Sequence, residues 1–164
     1  MSKPDKEKFV QLLEKHQNIL HKICRMYAAD QHEHNDLFQE MSVQLWKAFP
    51  KFRGDSKFST WMYRVSLNTA ITLYRKKKKR VDNNDIDQVA FKIEAEEYDS
   101  TTEENIKLLY QAIKELNDID KALVLLYLEE KDYEEIAKTL GISQVNARVK
   151  MNRVKKKLKK ILQA

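Results

Sequence analysis

Apolar residues recur at three- and four-residue steps through most of the chain, which is the spacing of amphipathic helices. Over residues 5–29, Phe9, Leu12, Leu13, Ile19, Leu20, Ile23, Cys24 and Tyr27 form one such stripe. A polar stretch from Asp30 to Asn35 interrupts it, and Asn35 or Asp36 is placed to cap a second helix. That helix is expected to reach about Phe49, carrying Leu37, Phe38, Met41, Leu45 and Trp46. Pro50 and Gly54 mark the next connection. Helix resumes near Ser59 with Trp61, Met62, Val65, Leu67, Ile71 and Tyr74. Three helices of this content can close a core of about 80 residues.

The period is lost over residues 81–104, VDNNDIDQVAFKIEAEEYDSTTEE, which reads as a flexible or partner-ordered linker. Thr102 is then placed to cap a helix with Ile106, Leu109, Tyr110, Ile113 and Leu116 as its stripe. Another helix is expected from about Ile119 to Glu129. The expected fold is all-α: two small helical domains, residues 1–80 and 105–164, joined by an acidic linker at residues 81–104.

Composition narrows the class. The chain has 164 residues, enough for one or two small domains, and 42% of them are apolar. A single Cys24 leaves no disulfide framework and no cysteine-based zinc site, and 2 glycines and 2 prolines argue against turn-rich sheets and Gly-rich nucleotide loops. No stretch has the roughly 20 apolar residues that span a bilayer, and MSKPDKEKF does not resemble a signal peptide. A soluble, cytoplasmic protein is expected. The net charge is +6, but it is unevenly placed: residues 81–104 hold nine acids and one base, leaving +14 on the remainder. Bases concentrate in the six consecutive residues Arg75 to Arg80 and in Ser143 to Ala164, which has eight bases and no acid. Basic clusters on either side of an acidic tract suit a nucleic-acid binder, although a lysine run can also be a solubilising face.

Two constellations carry candidate chemistry. In the first, Tyr133 to Leu140 forms a short helix, Gly141–Ile142 a turn, and Ser143 the cap of a long last helix. That is helix-turn-helix spacing: Gly141 permits a positive φ and Ala137 permits close helix crossing. Ala147, Met151, Val154, Leu158 and Ile161 are expected to face inward, leaving Gln144, Asn146, Arg148, Lys150, Asn152, Arg153 and Lys155 on the surface. Arginine and asparagine can make paired hydrogen bonds to guanine and adenine edges, while lysine suits phosphate. The plainer alternative is a helical hairpin with a basic outer face. In the second constellation, Lys51, Arg53, Lys57, Arg64 and the 75–80 run alternate with Phe52, Phe58, Trp61, Tyr63 and Tyr74. Cations for the backbone and rings for stacking are what unpaired bases require, while rings at helical spacing can equally be core.

These segments resemble a known family. FRGDSKFSTWMYRVSLNTA at residues 52–70, preceded by DLFQEM at 36–41 and followed by the basic run, resembles region 2 of bacterial sigma factors. It is similar in particular to the small extracytoplasmic-function group. ALVLLYLEE at 122–130, YEEIA at 133–137 and LGIS at 140–143 resemble region 4 of the same family. The resemblance implies a subunit that binds core RNA polymerase and directs initiation at promoter DNA, without cofactor or catalytic residue. It implies that Asp36, Leu37, Gln39 and Glu40 meet the polymerase. It implies that the loop bearing Arg53, Asp55, Ser56, Lys57 and Phe58 captures a flipped base of the −10 element. Trp61, Arg64, Asn68, Arg75, Lys76 and Arg80 would read and separate the same element. Ser143, Asn146, Arg148, Val149, Asn152, Arg153 and Lys155 would meet the −35 duplex. Many such proteins are held by an anti-sigma factor, which makes one a candidate partner here.

The chain departs from the family pattern at Leu116–Asn117, where Leu-Pro is frequent, and at Val145–Asn146, where Gly-Thr is frequent. Other readings fare less well. His32 and His34 are two residues apart and diverge on a helix, so a metal site there lacks convergence. No spacing of serine, histidine and aspartate suggests a nucleophile. A dimeric helix-turn-helix regulator would explain the C-terminal segment. It leaves the aromatic-basic segment and the Asp36 helix without a role.

Overall fold

A computed structural model describes residues 2–83 and 101–163, and every regular element among them is helical. Among these residues seven α-helices follow one another: α1 Lys3–Tyr27, α2 Gln31–Ala48, α3 Phe58–Asn83, α4 Thr101–Lys114, α5 Asp118–Leu128, α6 Tyr133–Leu140 and α7 Gln144–Gln163. A short 3-10 turn, Phe49–Lys51, follows α2. The chain divides into two compact units, residues 1–79 and 80–164. Most of the expected linker, residues 84–100, lies outside the described residues.

The first unit is built from α1, α2 and α3. Ser2 caps α1, its hydroxyl accepting from the Asp5 N–H. The stripe read from the sequence forms the core: Phe9, Leu20, Ile23, Cys24, Met41, Leu45, Met62 and Leu67 are all buried. The break before α2 is shorter than expected. Asp30, not Asn35 or Asp36, is the cap, its side chain accepting from the Glu33 N–H at 2.8 Å. The Glu33 carboxylate reaches back to accept from the Ala29 N–H at 2.8 Å. Reciprocal bonding of this kind satisfies two donors at a helix start, so helix begins at once and His32, Glu33 and His34 fall in its first turn. Glu33 also pairs with Lys77, tying that turn to α3.

Helix α1 meets α2 through a histidine pair, His21 Nδ1 and His34 Nε2 lying 3.1 Å apart. Burial, then the charges of His21 and Arg25, hold the His34 imidazole below its ordinary value of 6.5. Burial and Lys15 lower His16 in the same direction. The folded state thus favours neutral rings, and the unfolded chain binds more protons just below pH 6.5. Stability is complete above that value and declines as the pH falls through the lowered folded-state values. The thermal midpoint should therefore be lower at pH 5.5 than at pH 7.5, with part of the difference removed by His34→Gln. An equal midpoint at both pH values contradicts this.

The second unit packs α5, α6 and α7 with α4. Asn117 caps α5 and Asp132 caps α6, each accepting from the N–H three residues on. Leu123, Leu126, Ile136, Ala147, Met151 and Val154 are buried, so the inward stripe of α7 holds through Leu158, with Ile161 half-buried. Burial pushes the Asp120 carboxyl upward, against the nearby Lys157 and Lys150.

The α5–α6 turn carries one local strain. Glu130 has φ +61°, the one non-glycine residue with positive φ among the described residues. Its N–H donates to the Tyr127 carbonyl and that of Lys131 to Leu126, the pairing that normally places glycine in the left-handed position. A side chain there costs about 1–2 kcal/mol, partly offset by the lower entropy of a non-glycine unfolded chain. Glu130→Gly should raise stability by about 0.5–1 kcal/mol, read as a higher urea midpoint. A fall would mean that the Glu130 side chain stabilises the fold by more than its backbone strain costs.

Candidate nucleic-acid interface

Three surfaces carry the residues singled out from the sequence. The first is the outer face of α2, where Asp36 and Gln39 are exposed and Glu40 is half-buried, accepting from Gln44 Nε2 at 2.9 Å. Leu37 does not belong to this surface. It is buried in line with Met41 and Leu45 at four-residue steps, so its side chain serves the core. Val43 and Trp46 on the same helix are exposed and add apolar area that residue spacing alone does not place there.

The second surface starts at the loop between α2 and α3. Arg53, Gly54, Asp55, Ser56 and Lys57 are all exposed, and Gly54 takes φ +79°, which a residue with a side chain rarely adopts. The loop stands on an aromatic cluster. Trp61 lies 5.0 Å from Phe52 and 5.4 Å from Phe58, and Phe49 is 6.2 Å from Trp61, all between ring centroids. Such edge and tilted contacts fix the loop base more firmly than area burial alone. A shallow cavity of about 370 Å³ opens beside it, lined by Asp5, Lys8, Phe49, Pro50, Phe52, Arg53 and Gly54.

The interleaved aromatics divide by role. Tyr63 is buried and belongs to the core; Tyr74 packs edge-on against Tyr27 at 5.9 Å. Phe58 and Trp61 are half-buried and keep part of their surface at the loop. Beyond them α3 is one continuous helix through the basic run to Asn83. Arg64, Asn68 and Arg75 are exposed and, at four- and seven-residue steps, fall on one side of it. Lys76 and Arg80 are exposed further around the same helix.

The third surface is α7. Gly141 takes φ +70° at the C-cap of α6, and the Ser143 hydroxyl accepts from the Asn146 N–H at 3.0 Å. Asn146, Arg148, Val149, Asn152, Arg153 and Lys155 are exposed. Val145 is 73% exposed, the highest value among the exposed large apolar residues, at the helix start where a thymine methyl could be met. Arg148 lies over the Tyr133 ring, and Lys155 over that of Tyr127.

Cys24 lies apart from these surfaces. It is fully buried, its thiol is pushed up to about 12 by burial, and it donates to the His34 carbonyl. Among the described residues, no group of three His, Cys, Asp or Glu side chains could hold a metal, and no helix is long and apolar enough to cross a membrane.

Two helical units, one with an aromatic-footed basic helix and the other with a helix-turn-helix, define a bipartite DNA-recognition protein. The Sigma-70 region 2 family matches residues 12–80, and Sigma-70, region 4 matches residues 106–158. The chain belongs to the sigma-70 family, in its extracytoplasmic-function group. It is 29% identical to the RNA polymerase sigma-H factor of Pseudomonas aeruginosa over 97% of this chain and 88% of that protein. It is 32% identical to the ECF RNA polymerase sigma-E factor of Escherichia coli over 62% of this chain and 59% of that protein. Its fold is similar to that of the sigma factor RpoE of Bartonella quintana, solved in complex with the anti-sigma factor NepR. The TM-score there is 0.73 at 19% identity over 99% of each chain. It is also similar to CnrH in complex with the cytosolic domain of CnrY, with TM-score 0.68 at 19% identity over 96% and 89% of the two chains. The activity defined by the two regions together is that of a sigma factor, promoter-specific transcription initiation.

Proposed function

We propose that the chain joins core RNA polymerase through the outer face of α2 and recognises a promoter with two separate surfaces. Asp36, Gln39 and Glu40 supply an acidic and polar edge, and Val43 an adjoining apolar one, a combination that suits a basic helical partner. The loop 53–58 and the exposed side of α3 hold −10 DNA. Capture of an extruded base there offsets an unstacking cost of a few kcal/mol, so binding itself opens the duplex. Helix α7 enters the major groove at the −35 element, with Asn146, Arg148, Asn152 and Arg153 toward base edges and Lys155 toward phosphate. This division makes the protein a recognition subunit rather than a catalyst, acting in the cytoplasm beside the polymerase. An anti-sigma factor is a further proposed partner, as in the Bartonella complex.

The observation that carries this reading is the exposure of candidate DNA residues on two helices of two different units, α3 and α7. Transcription in vitro with core polymerase and this protein should start at discrete sites on genomic fragments. Absence of specific initiation on every fragment overturns the proposal. Asp36→Lys with Glu40→Lys should weaken association with core by about tenfold or more, as like charges meet, and leave the circular-dichroism spectrum unchanged.

A further inference from the structure

Tyr127 and Tyr133 stand on either side of the α5–α6 turn, at the end of α5 and the start of α6. Arg148 and Lys155 are seven residues apart on α7, two turns of helix, and so share one face. The turn lays one ring against each cation. The Arg148 guanidinium carbon lies 5.5 Å from the Tyr133 ring centroid, and the Lys155 ammonium lies 4.4 Å from that of Tyr127. Both distances are within the range over which a ring face attracts a cation. The Tyr127 side chain is the largest of the influences that raise the Lys155 pKa, outweighing the lowering by burial, so this contact favours the charged lysine.

An unsupported arginine on a helix surface samples many rotamers, and freezing it on DNA opposes binding. A guanidinium resting on a flat ring loses less, because its plane is already set. Tyr133 is well anchored to support one, since it is half-buried at the first position of α6, directly after the Asp132 cap. We propose that Tyr133 is a positioning residue for Arg148, holding the guanidinium where it meets a base edge and so setting discrimination at one −35 position. The inference rests on the reading of α7 as the −35 helix. Tyr127 serves Lys155 in the same way, but a lysine on phosphate carries no sequence information, so its effect is uniform over sequences.

The test uses the polymerase holoenzyme containing this protein and a −35 library scored for binding. Arg148→Ala identifies the base position that Arg148 reads. Tyr133→Leu should lower discrimination at that same position about two- to fivefold. Tyr133→Phe, which keeps the ring, should retain most of it, and Tyr133→Leu should add nothing once Arg148 is alanine. Tyr127→Leu should weaken all sequences alike. If Tyr133→Leu lowers affinity equally for every sequence, or Tyr133→Phe fails as badly as leucine, the positioning role is overturned while the −35 reading stands. If Arg148→Ala changes discrimination nowhere, Arg148 reads no base and the inference falls; if the unaltered holoenzyme shows no preference at any −35 position, the −35 reading falls as well.

Discussion

A protein carrying Arg148→Ala and Arg153→Ala together should lose at least about 30-fold in promoter affinity while its association with core polymerase is unchanged. Each arginine is exposed on α7 and is suited to a paired hydrogen bond with guanine. Such a pair discriminates by about 1–3 kcal/mol, so two losses multiply to this size or beyond. Neither side chain is part of the α7 core, which is made by Ala147, Met151, Val154 and Leu158. The fold should therefore survive the double change. The measurement compares holoenzyme binding on a selected promoter and on the same promoter with a scrambled −35 element. The variant should bind both alike, near the wild-type level on the scrambled one. Equal weakening on both, together with lost polymerase association, would mean that the arginines act through stability.

The second large effect is on stability itself. Leu20 is fully buried in α1, among the largest side chains with essentially no exposure. Leu20→Ala should cost about 2–5 kcal/mol, the sum of lost transfer energy and the cavity left behind. Native stability is typically only about 5–15 kcal/mol, so the first unit should be close to unfolding. Amide hydrogen exchange in α1, α2 and α3 should accelerate by the corresponding factor. Leu20→Met, which conserves volume, should cost less than about 1.5 kcal/mol. If alanine proves as mild as methionine, the site collapses around the missing atoms and the core is looser than its burial indicates.

Much of this architecture is legible from residue spacing alone. The alternating four- and three-residue steps from Ala147 to Leu158 name the buried side of α7, and Gly141 and Ser143 name its start. The start of α2 is harder to place. Asp30, Asn35 and Asp36 are all capable caps, and choosing among them depends on a carboxylate that folds back across the turn. Aspartate followed three residues later by glutamate, Asp30 and Glu33, is the signal that marks it. Leu37 shows a different limit. Resemblance places it in a polymerase-binding segment, but its four-residue steps to Met41 and Leu45 place its side chain inside. The tyrosines over Arg148 and Lys155 have no sequence signature, because their partners lie 15 and 28 residues away and are set by how α5, α6 and α7 cross.

The ion pair between Lys77 and Glu33 changes how the six-base run on α3 should be counted. Phosphate binding draws much of its strength from small cations freed from DNA, one for nearly every charge that the protein newly supplies. Lys77 already has a carboxylate beside it. While that pair persists Lys77 supplies no new charge, so in the proposed −10 role the run releases fewer ions than its six bases suggest. Breaking the pair would free the Lys77 charge, but would leave the Glu33 carboxylate uncompensated and loosen the turn it holds at Ala29. If α3 meets DNA as proposed, its tightness there is set partly by one acid on a neighbouring helix that need not touch the nucleic acid.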